Sequence, residues 1–346
     1  MVLAALMTGQ LIMSTIYLTH QGSKVTKQRG QFSFKGPAQL ALEVPIREIN
    51  RILVFGNIHL TTPVIATCLQ TEIPVVFLSQ AGKYKGHLWS ATCEDLKAEM
   101  AQFAHWDNAV FQRTIARTIV RGKLENSRQL LLRLNRKRKL PKVAEAIAGI
   151  TADRDDLDSV DELDQLRGYE GIAAARYFPA LGQLITVDEF RFSQRSRRPP
   201  RDATNAMLSF GYTLLHNNVL SLILAEGVNP YLGNLHRSDR KETHLAFDLI
   251  EEFRSPVVDT LMMTVVNRGV IKPDDFSPSA SNGGIYLSDG ARRRFIQEFE
   301  KRLSSETAHP MVKAPVSYRR AIQLQVQRYK RCLLDGMAYE PFVRAV

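Results

Sequence analysis

The chain has 346 residues, 45% of them hydrophobic, which is enough for two domains with a real core and too apolar for wholesale disorder. Its 46 Lys and Arg against 35 Asp and Glu give a formal charge of +11, which favours anionic partners such as nucleic acid or an anionic membrane surface. The three cysteines, Cys68, Cys93 and Cys332, are scattered without a CxxC spacing, which argues against a zinc ribbon or a disulfide framework and fits a reducing cytoplasm.

The first charged residue is Lys24, so the apolar opening MVLAALMTGQLI lacks the basic start of a signal peptide. Thr8, Gly9 and Gln10 break it before it reaches membrane-spanning length. Residues 1–12 read as an upstream extension, with Met13 as the expected start. From Ser14 to Ser90 short β-branched and aromatic segments follow one another: IYLTH, FSFKG, LALEVPI, RILVFG, PVVFLS and KGHLWS, bounded by Gly, Pro and polar turns. TTPVIATCLQ among them reads as a helix, with Thr61 or Thr62 as cap and Pro63 in the first turn. Six strands and one helix predict a small β-sandwich over residues 13–91 rather than a wound α/β domain.

From residue 92 to 346 long amphipathic segments dominate, and the expected fold is α+β: an N-terminal β-sandwich followed by a larger all-α domain. FQRTIARTIVRGKLENSRQLLLRL places Ile115, Ile119, Leu124, Leu130 and Leu131 on one side and its Arg and Lys on the other faces. NRKRKLPK ends it with a basic run and Pro141, and the acidic TADRDDLDSVDELDQL follows. Each charge run fits a solvated face as well as a partner surface. QRSRRPPR gathers Arg195, Arg197, Arg198 and Arg201 around two prolines, which suits a phosphate clamp or an exposed linker. The apolar stretch Val219 to Ala225 is too short to span a bilayer and reads as a buried core helix.

The segment LHRSDRKETHLAFDLIEEFRSPVVD carries the chemistry. A helix from about Thr243 gives an apolar stripe of Leu245, Ala246, Leu249, Ile250 and Phe253. Asp248 and Glu251 then share a face, with Glu252 four residues from Asp248. Such carboxylates repel unless a cation lies between them, and Arg254 is a candidate, so a helix with ordinary ion pairs is the simplest reading. The alternative is a metal site. His236 closes the turn-rich NPYLGNLH, and Glu170 sits in LRGYEGIAAARYFPAL at the expected mouth of an Ala-rich helix. Helical spacing alone would choose His244, four residues before Asp248. One imidazole with two carboxylates suits Mn²⁺ or Mg²⁺ better than Zn²⁺, and such ions serve displacement at phosphorus.

Taken together and in order, these motifs resemble the CRISPR-associated integrase, the first and most widespread Cas family, from about Ile16 to Val343. The resemblance rests on GYEG at 168–171, RPPRDATNAMLSFGYTLL at 198–215, GVNPYLGNLH at 227–236 and LAFDLIEEFRSPVVD at 245–259. NGGIYLSDGARRRFI at 282–296 and SYRRAIQLQVQRY at 317–329 add to it. It implies that Glu170, His236 and Glu251 hold Mg²⁺ or Mn²⁺ and are the catalytic set, that Asp248 supports them, and that Asn205 lies near the site. His244 is left to packing or DNA contact. It also implies a metal-dependent transesterification that inserts spacer DNA into the CRISPR array, with endonuclease activity on branched DNA. The implied partners are double-stranded DNA, the second universal Cas protein and a second copy of this chain through the β-sandwich. The Arg-rich runs at 191–201 and 113–142 would follow phosphates. Asn229, Asn234 and the Arg-Ser-Asp after His236 depart from the family pattern, as do Ala203 and Thr204, but none removes a ligand. A plain nuclease and a non-catalytic DNA-binding scaffold are the rival readings.

Overall fold

A computed structural model describes residues 2–3, 14–36, 41–80, 82–88, 95–237, 242–280 and 282–344. The expected extension over residues 1–12 lies outside these apart from Val2–Leu3 (β1), which pairs antiparallel with Ser14–Leu18 (β2). Cys93 and the boundary expected at residues 91–92 also lie outside them. The chain divides into one unit of residues 1–96 and 220–228 and another of 97–219 and 229–346.

In the first unit, Lys24–Gln28 (β3) and Gln31–Lys35 (β4) form a hairpin. Its two-residue turn uses Arg29 and Gly30 at φ of 44° and 79°, the positive values that match a tight turn to the twist of its strands. Ala41–Pro45 (β5) pairs with β4, and His59–Leu60 (β7) pairs with β3, completing a sheet in the order β5-β4-β3-β7. The other sheet runs β1-β2-β6-β8-β9, with β6 at Ile49–Phe55, β8 at Val75–Leu78 and β9 at Tyr84–His87.

β6 is parallel to both β2 and β8, and it is joined to β8 through helix α1 (Thr62–Gln70), so a βαβ crossover lies within what the sequence predicts as a simple sandwich. The continuous apolar runs of β6 and β8 are what a strand buried on both sides requires. Both sheets and α1 share one core, including Ile16, Val25, Phe32, Ile52, Val64 and Val75. β3 escapes sequence reading because KVTKQ buries one residue, Val25, and so shows no alternation.

The second unit is mainly helical. Its helices are α2 (Leu96–Trp106), α3 (Ala109–Asn135), α4 (Pro141–Asp155), α5 (Leu163–Gln183), α6 (Ala203–Ala225), α7 (His244–Ile250), α8 (Thr260–Asn267), α9 (Asp289–Ser304) and α10 (Tyr318–Asp335). The first residue of α2 and the last turns of α6 fall in the first unit. Local signals account for the boundaries. Asn108 caps α3 by accepting from Phe111 N, Ser288 caps α9, Ser317 caps α10, and Gly336 at φ 65° ends α10. Pro141 does not end the long helix; it opens α4.

The unit is not all-α: Phe276–Pro278 (β10) pairs with Ile285–Leu287 (β11), and Glu306–His309 (β12) pairs with Val312–Ser317 (β13). α6 is long and apolar enough to cross a membrane by length and composition, yet 78% of that apolar window is buried inside the protein, as in a core helix. The apolar stretch from Val219 is only its last part.

Two close approaches position the site. Gly182, near the end of α5, lies against the backbone of Phe192, where a methyl group would land on the Phe192 carbonyl oxygen. This contact joins the helix that carries Glu170 to the start of the Arg-rich loop. Gly122 on α3 lies under Pro341, so the chain after α10 returns along α3. Gly182→Ala should therefore destabilise the protein by roughly 1–3 kcal/mol through overpacking, measured as a lower urea midpoint.

Candidate metal centre

The acidic segment does not continue as one α-helix. α7 stops at Ile250, Glu251–Phe253 tightens into a 3₁₀ turn, and Arg254–Asp259 widens into a π-helical turn before α8. Widened turns of this kind cluster at functional sites because they re-aim side chains. Here three carboxylates that sequence spacing groups on one face point to three different partners.

Asp248 is fully buried and faces the 234–236 loop. Its Oδ2 accepts from the backbone N–H of Asn234 (2.5 Å) and Leu235 (3.0 Å), and its Oδ1 from His236 N (2.9 Å). Oδ1 also meets His236 Nδ1 at 2.8 Å. The carboxylate thus fixes the loop and the imidazole together, leaving Nε2 as the ring nitrogen available to a ligand. Gly233 makes the turn possible, because a Cβ there would lie 2.6 Å from His244 Cβ and 2.7 Å from His236 O.

Glu252 faces the other way. It accepts from Tyr339 Oη (2.7 Å), Gln325 Nε2 (2.7 Å) and Phe342 N (2.8 Å), all around the C-terminal segment. Burial still pushes its carboxyl up to about 7.

The Glu251 side chain, about 1% exposed, lies between Lys123 and Arg254, two residues that line a small cleft together with Glu170, Arg197, Tyr212 and Asp259. Lys123 Nζ lies 2.6 Å from Glu251 Oε2 and also pairs with Glu170 Oε1. Arg254 reaches Glu251 Oε1 at 2.8 Å, as the sequence suggests. Burial works to raise the Glu251 carboxyl, but Arg254, Lys123 and His236 outweigh it and hold it at about 2. Oε2 is shielded from water and, although close to Lys123, accepts no well-directed hydrogen bond. Burial likewise disfavours the charged ring of His236, but Asp248 and Glu251 outweigh it and raise its pKa above the ordinary histidine value.

Glu170 sits inside α5, two turns past its start, rather than at a helix mouth, so a helix-end field does not account for it. Gly168 and Gly171 beside it have open space around them, so no second helix presses there. His244 is buried at the start of α7.

Further along the cleft, Asp259 accepts from Tyr177 Oη and Tyr212 Oη, each at 2.6 Å, and burial pushes it up to about 6. The guanidiniums of Arg254 and Arg195 lie 5.0 and 5.5 Å from the Tyr212 ring centroid.

Asn205 is buried and organises the Arg-rich loop. Its Oδ1 accepts from Arg195 Nη1 (2.8 Å) and Ser196 N (3.0 Å), and its Nδ2 donates to Gln194 O (3.0 Å) and Asp202 Oδ2 (2.6 Å). Arg195, half-buried, also donates to Ser209 Oγ at 2.9 Å, so it braces the loop from within. Arg197, Arg198 and Arg201 are exposed, and Arg197 lines the cleft.

Part of the α3 run has partners within the chain. Arg113, Arg117 and Arg121 reach Asp161 O, Val160 O and Asp158, which closes the acidic segment onto α3. Arg136, Lys137, Arg138 and Lys139 remain exposed. Lys123 was missed, although a signal exists: it lies at helical spacing with the buried Ala116, Ile119, Val120 and Ser127, where an apolar residue is expected.

Two carboxylates from separate helices beside an imidazole match the donor preferences of Mg²⁺ or Mn²⁺. The water-shielded Glu251 Oε2 and the cation already drawn between Glu170 and Glu251 fit such an ion. Among the described residues, however, no three His, Cys, Asp or Glu side chains are gathered closely enough to hold one as they stand. The Lys123 ammonium lies where the carboxylates would converge.

Four likenesses to known proteins cover most of the chain. The family model described as "CRISPR associated protein Cas1" matches residues 16–301. The "CRISPR-associated endonuclease Cas1 1" of Thermus thermophilus is 35% identical over 332 residues, covering 95% of this chain and 98% of that protein. A Cas1 protein from Thermotoga maritima has the same fold, with TM-score 0.79 and 25% identity over 92% of this chain and 96% of that one. A casposase bound to its integration product shares the fold alone, with TM-score 0.80 and 21% identity over 94% of this chain and 92% of that one.

Asp248→Asn should drop the His236 pKa from its raised position in an NMR titration. A raised histidine pKa contributes stability that is full below the unfolded value of about 6.5 and is lost as pH rises through the folded value. The variant's urea-unfolding deficit should therefore be larger at pH 5 than at pH 8, above a constant part from the lost loop hydrogen bonds.

Proposed function

The chain belongs to the CRISPR-associated Cas1 family, and from that premise we propose that it is a metal-dependent DNA endonuclease and integrase that inserts spacer DNA into a CRISPR array. The observation that carries this reading is the drawing together of Glu170 and Glu251, from helices far apart in sequence, onto one cation beside a histidine locked by Asp248.

The reaction is an exchange of phosphodiesters. The 3′-hydroxyl of the incoming DNA forms a new bond to phosphorus as the existing O3′–P bond at the edge of a repeat breaks, and the released 3′-oxygen takes up a proton. One ester replaces another, so no nucleotide energy source is needed. Mg²⁺ or Mn²⁺ held by Glu170, His236 and Glu251 would supply positive charge against the charge building on the phosphate and ease ionisation of the attacking hydroxyl.

The chain's own groups define the rest. Asp248 holds the His236 ring through Nδ1 and keeps Nε2 available. Arg254 neutralises Glu251 on the side away from Oε2 and is itself packed on Tyr212. Arg197 lines the cleft and can meet a phosphate there, while Arg198 and Arg201 extend positive charge along the duplex. Double-stranded DNA, the second universal Cas protein and a second copy of this chain are the partners of this reading.

One observation favours the rival, a non-catalytic DNA-binding scaffold: Lys123 already pairs with both carboxylates. A strand-transfer assay with the partner Cas protein and a labelled 3′-hydroxyl duplex separates the two. Glu170→Ala and His236→Ala should each lower joined product by roughly two orders of magnitude or more and leave duplex binding intact. Wild-type levels of product in Mn²⁺ from both variants would overturn the assigned site. In salt titrations, Arg197→Ala combined with Arg198→Ala should flatten the slope of log K against log salt by about 2. An unchanged slope would return this loop to the status of a linker.

A further inference from the structure

Lys123 bridges Glu170 and Glu251, so its charge and position duplicate those of a metal ion shared by the two. Its ammonium pairs with Glu170 and lies 2.6 Å from Glu251 Oε2, and its side chain is only 12% exposed. A lysine here is not required by packing: its neighbours on the same helical stripe are Ala116, Ile119, Val120 and Ser127, and its stem alone could fill that place. Nor is it required to neutralise Glu251, because Arg254 already pairs with Oε1. What Lys123 does is hold Glu170 and Glu251 together. Without a cation between them, these two carboxylates would repel.

We propose that Lys123 is a built-in competitor for the metal, occupying the space between Glu170 and Glu251 until a divalent ion displaces its ammonium. This rests on the proposed metal reading and deepens it. A divalent ion entering beside a retained ammonium would face a second positive charge across a few ångströms in a site shielded from water. The two cations are therefore mutually exclusive on these carboxylates. The fold keeps the site assembled in the absence of metal, at the cost of weaker metal binding. The displaced ammonium joins Arg197 in the same cleft, adding positive charge where a substrate phosphate would enter.

The test is calorimetric titration with Mn²⁺ alone on the full-length chain as wild type, Lys123→Met, Lys123→Gln and Glu170→Ala. Both Lys123 variants should bind Mn²⁺ about tenfold more tightly than wild type, the factor expected when one partly buried competing ion pair is removed. In thermal unfolding they should be less stable than wild type without metal and should gain more in Tm from Mn²⁺. The Gln variant keeps the inference testable should the Met variant fail to fold. Equal or weaker Mn²⁺ binding by the Lys123 variants, with wild-type binding that is lost in Glu170→Ala, would overturn the competition while leaving the metal reading in place. Wild-type protein that shows no Glu170-dependent Mn²⁺ binding would overturn both.

Discussion

The Glu251 carboxylate, shielded from water between the ammonium of Lys123 and the guanidinium of Arg254, is the interaction on which the helical unit depends. An unpaired carboxylate at this depth costs several kcal/mol. The surrounding structure meets that demand by bringing α3, α5 and the turn after α7 onto one point. Lys123 comes from α3, and Glu170 from α5 shares its ammonium. Arg254 is steadied over Tyr212, whose hydroxyl is fixed by Asp259. The 3₁₀ and π turns between Glu251 and Asp259 allow successive residues to reach these different partners.

The same demand explains why Asp248, Glu251 and Glu252 diverge. Each is buried, and each has its own donors: a backbone loop for Asp248, cations for Glu251, and a tyrosine, a glutamine amide and a backbone N–H for Glu252. Distributing the charges avoids three like charges in one small volume. It also separates their roles. Asp248 positions a histidine, Glu252 anchors the C-terminal segment, and Glu251 meets the cations Lys123 and Arg254.

The surplus of positive charge is likewise divided. Arg113, Arg117 and Arg121 close the acidic segment onto α3, Arg154 and Arg128 share Glu125, and Arg195 braces the loop through Asn205. These cations are part of the scaffold. Arg197, Arg198, Arg201 and the run at 136–139 remain facing solvent. The formal charge of +11 is thus a poor measure of any single surface, because buried and bridged charges count in it equally.

Much of the fold was legible in local pattern: the strands with β-branched cores, the helix opened by Pro63, and the loop that ends in His236. β3 and the βαβ crossover were not, since one buried valine carries no period and strand direction is set by pairing partners distant in the chain. The motifs single out Glu170, His236 and Glu251, and the structure places Glu170 and Glu251 on one cation and His236 on Asp248. Sequence by itself determined the family and the mixed α and β composition, because these depend on identity and short-range spacing. Tertiary structure alone decided where each buried carboxylate points, that Arg195 is a strut, and that Lys123 lies between the two glutamates. Charge pairing inside a protein follows distance and dielectric, and neither can be read along the chain.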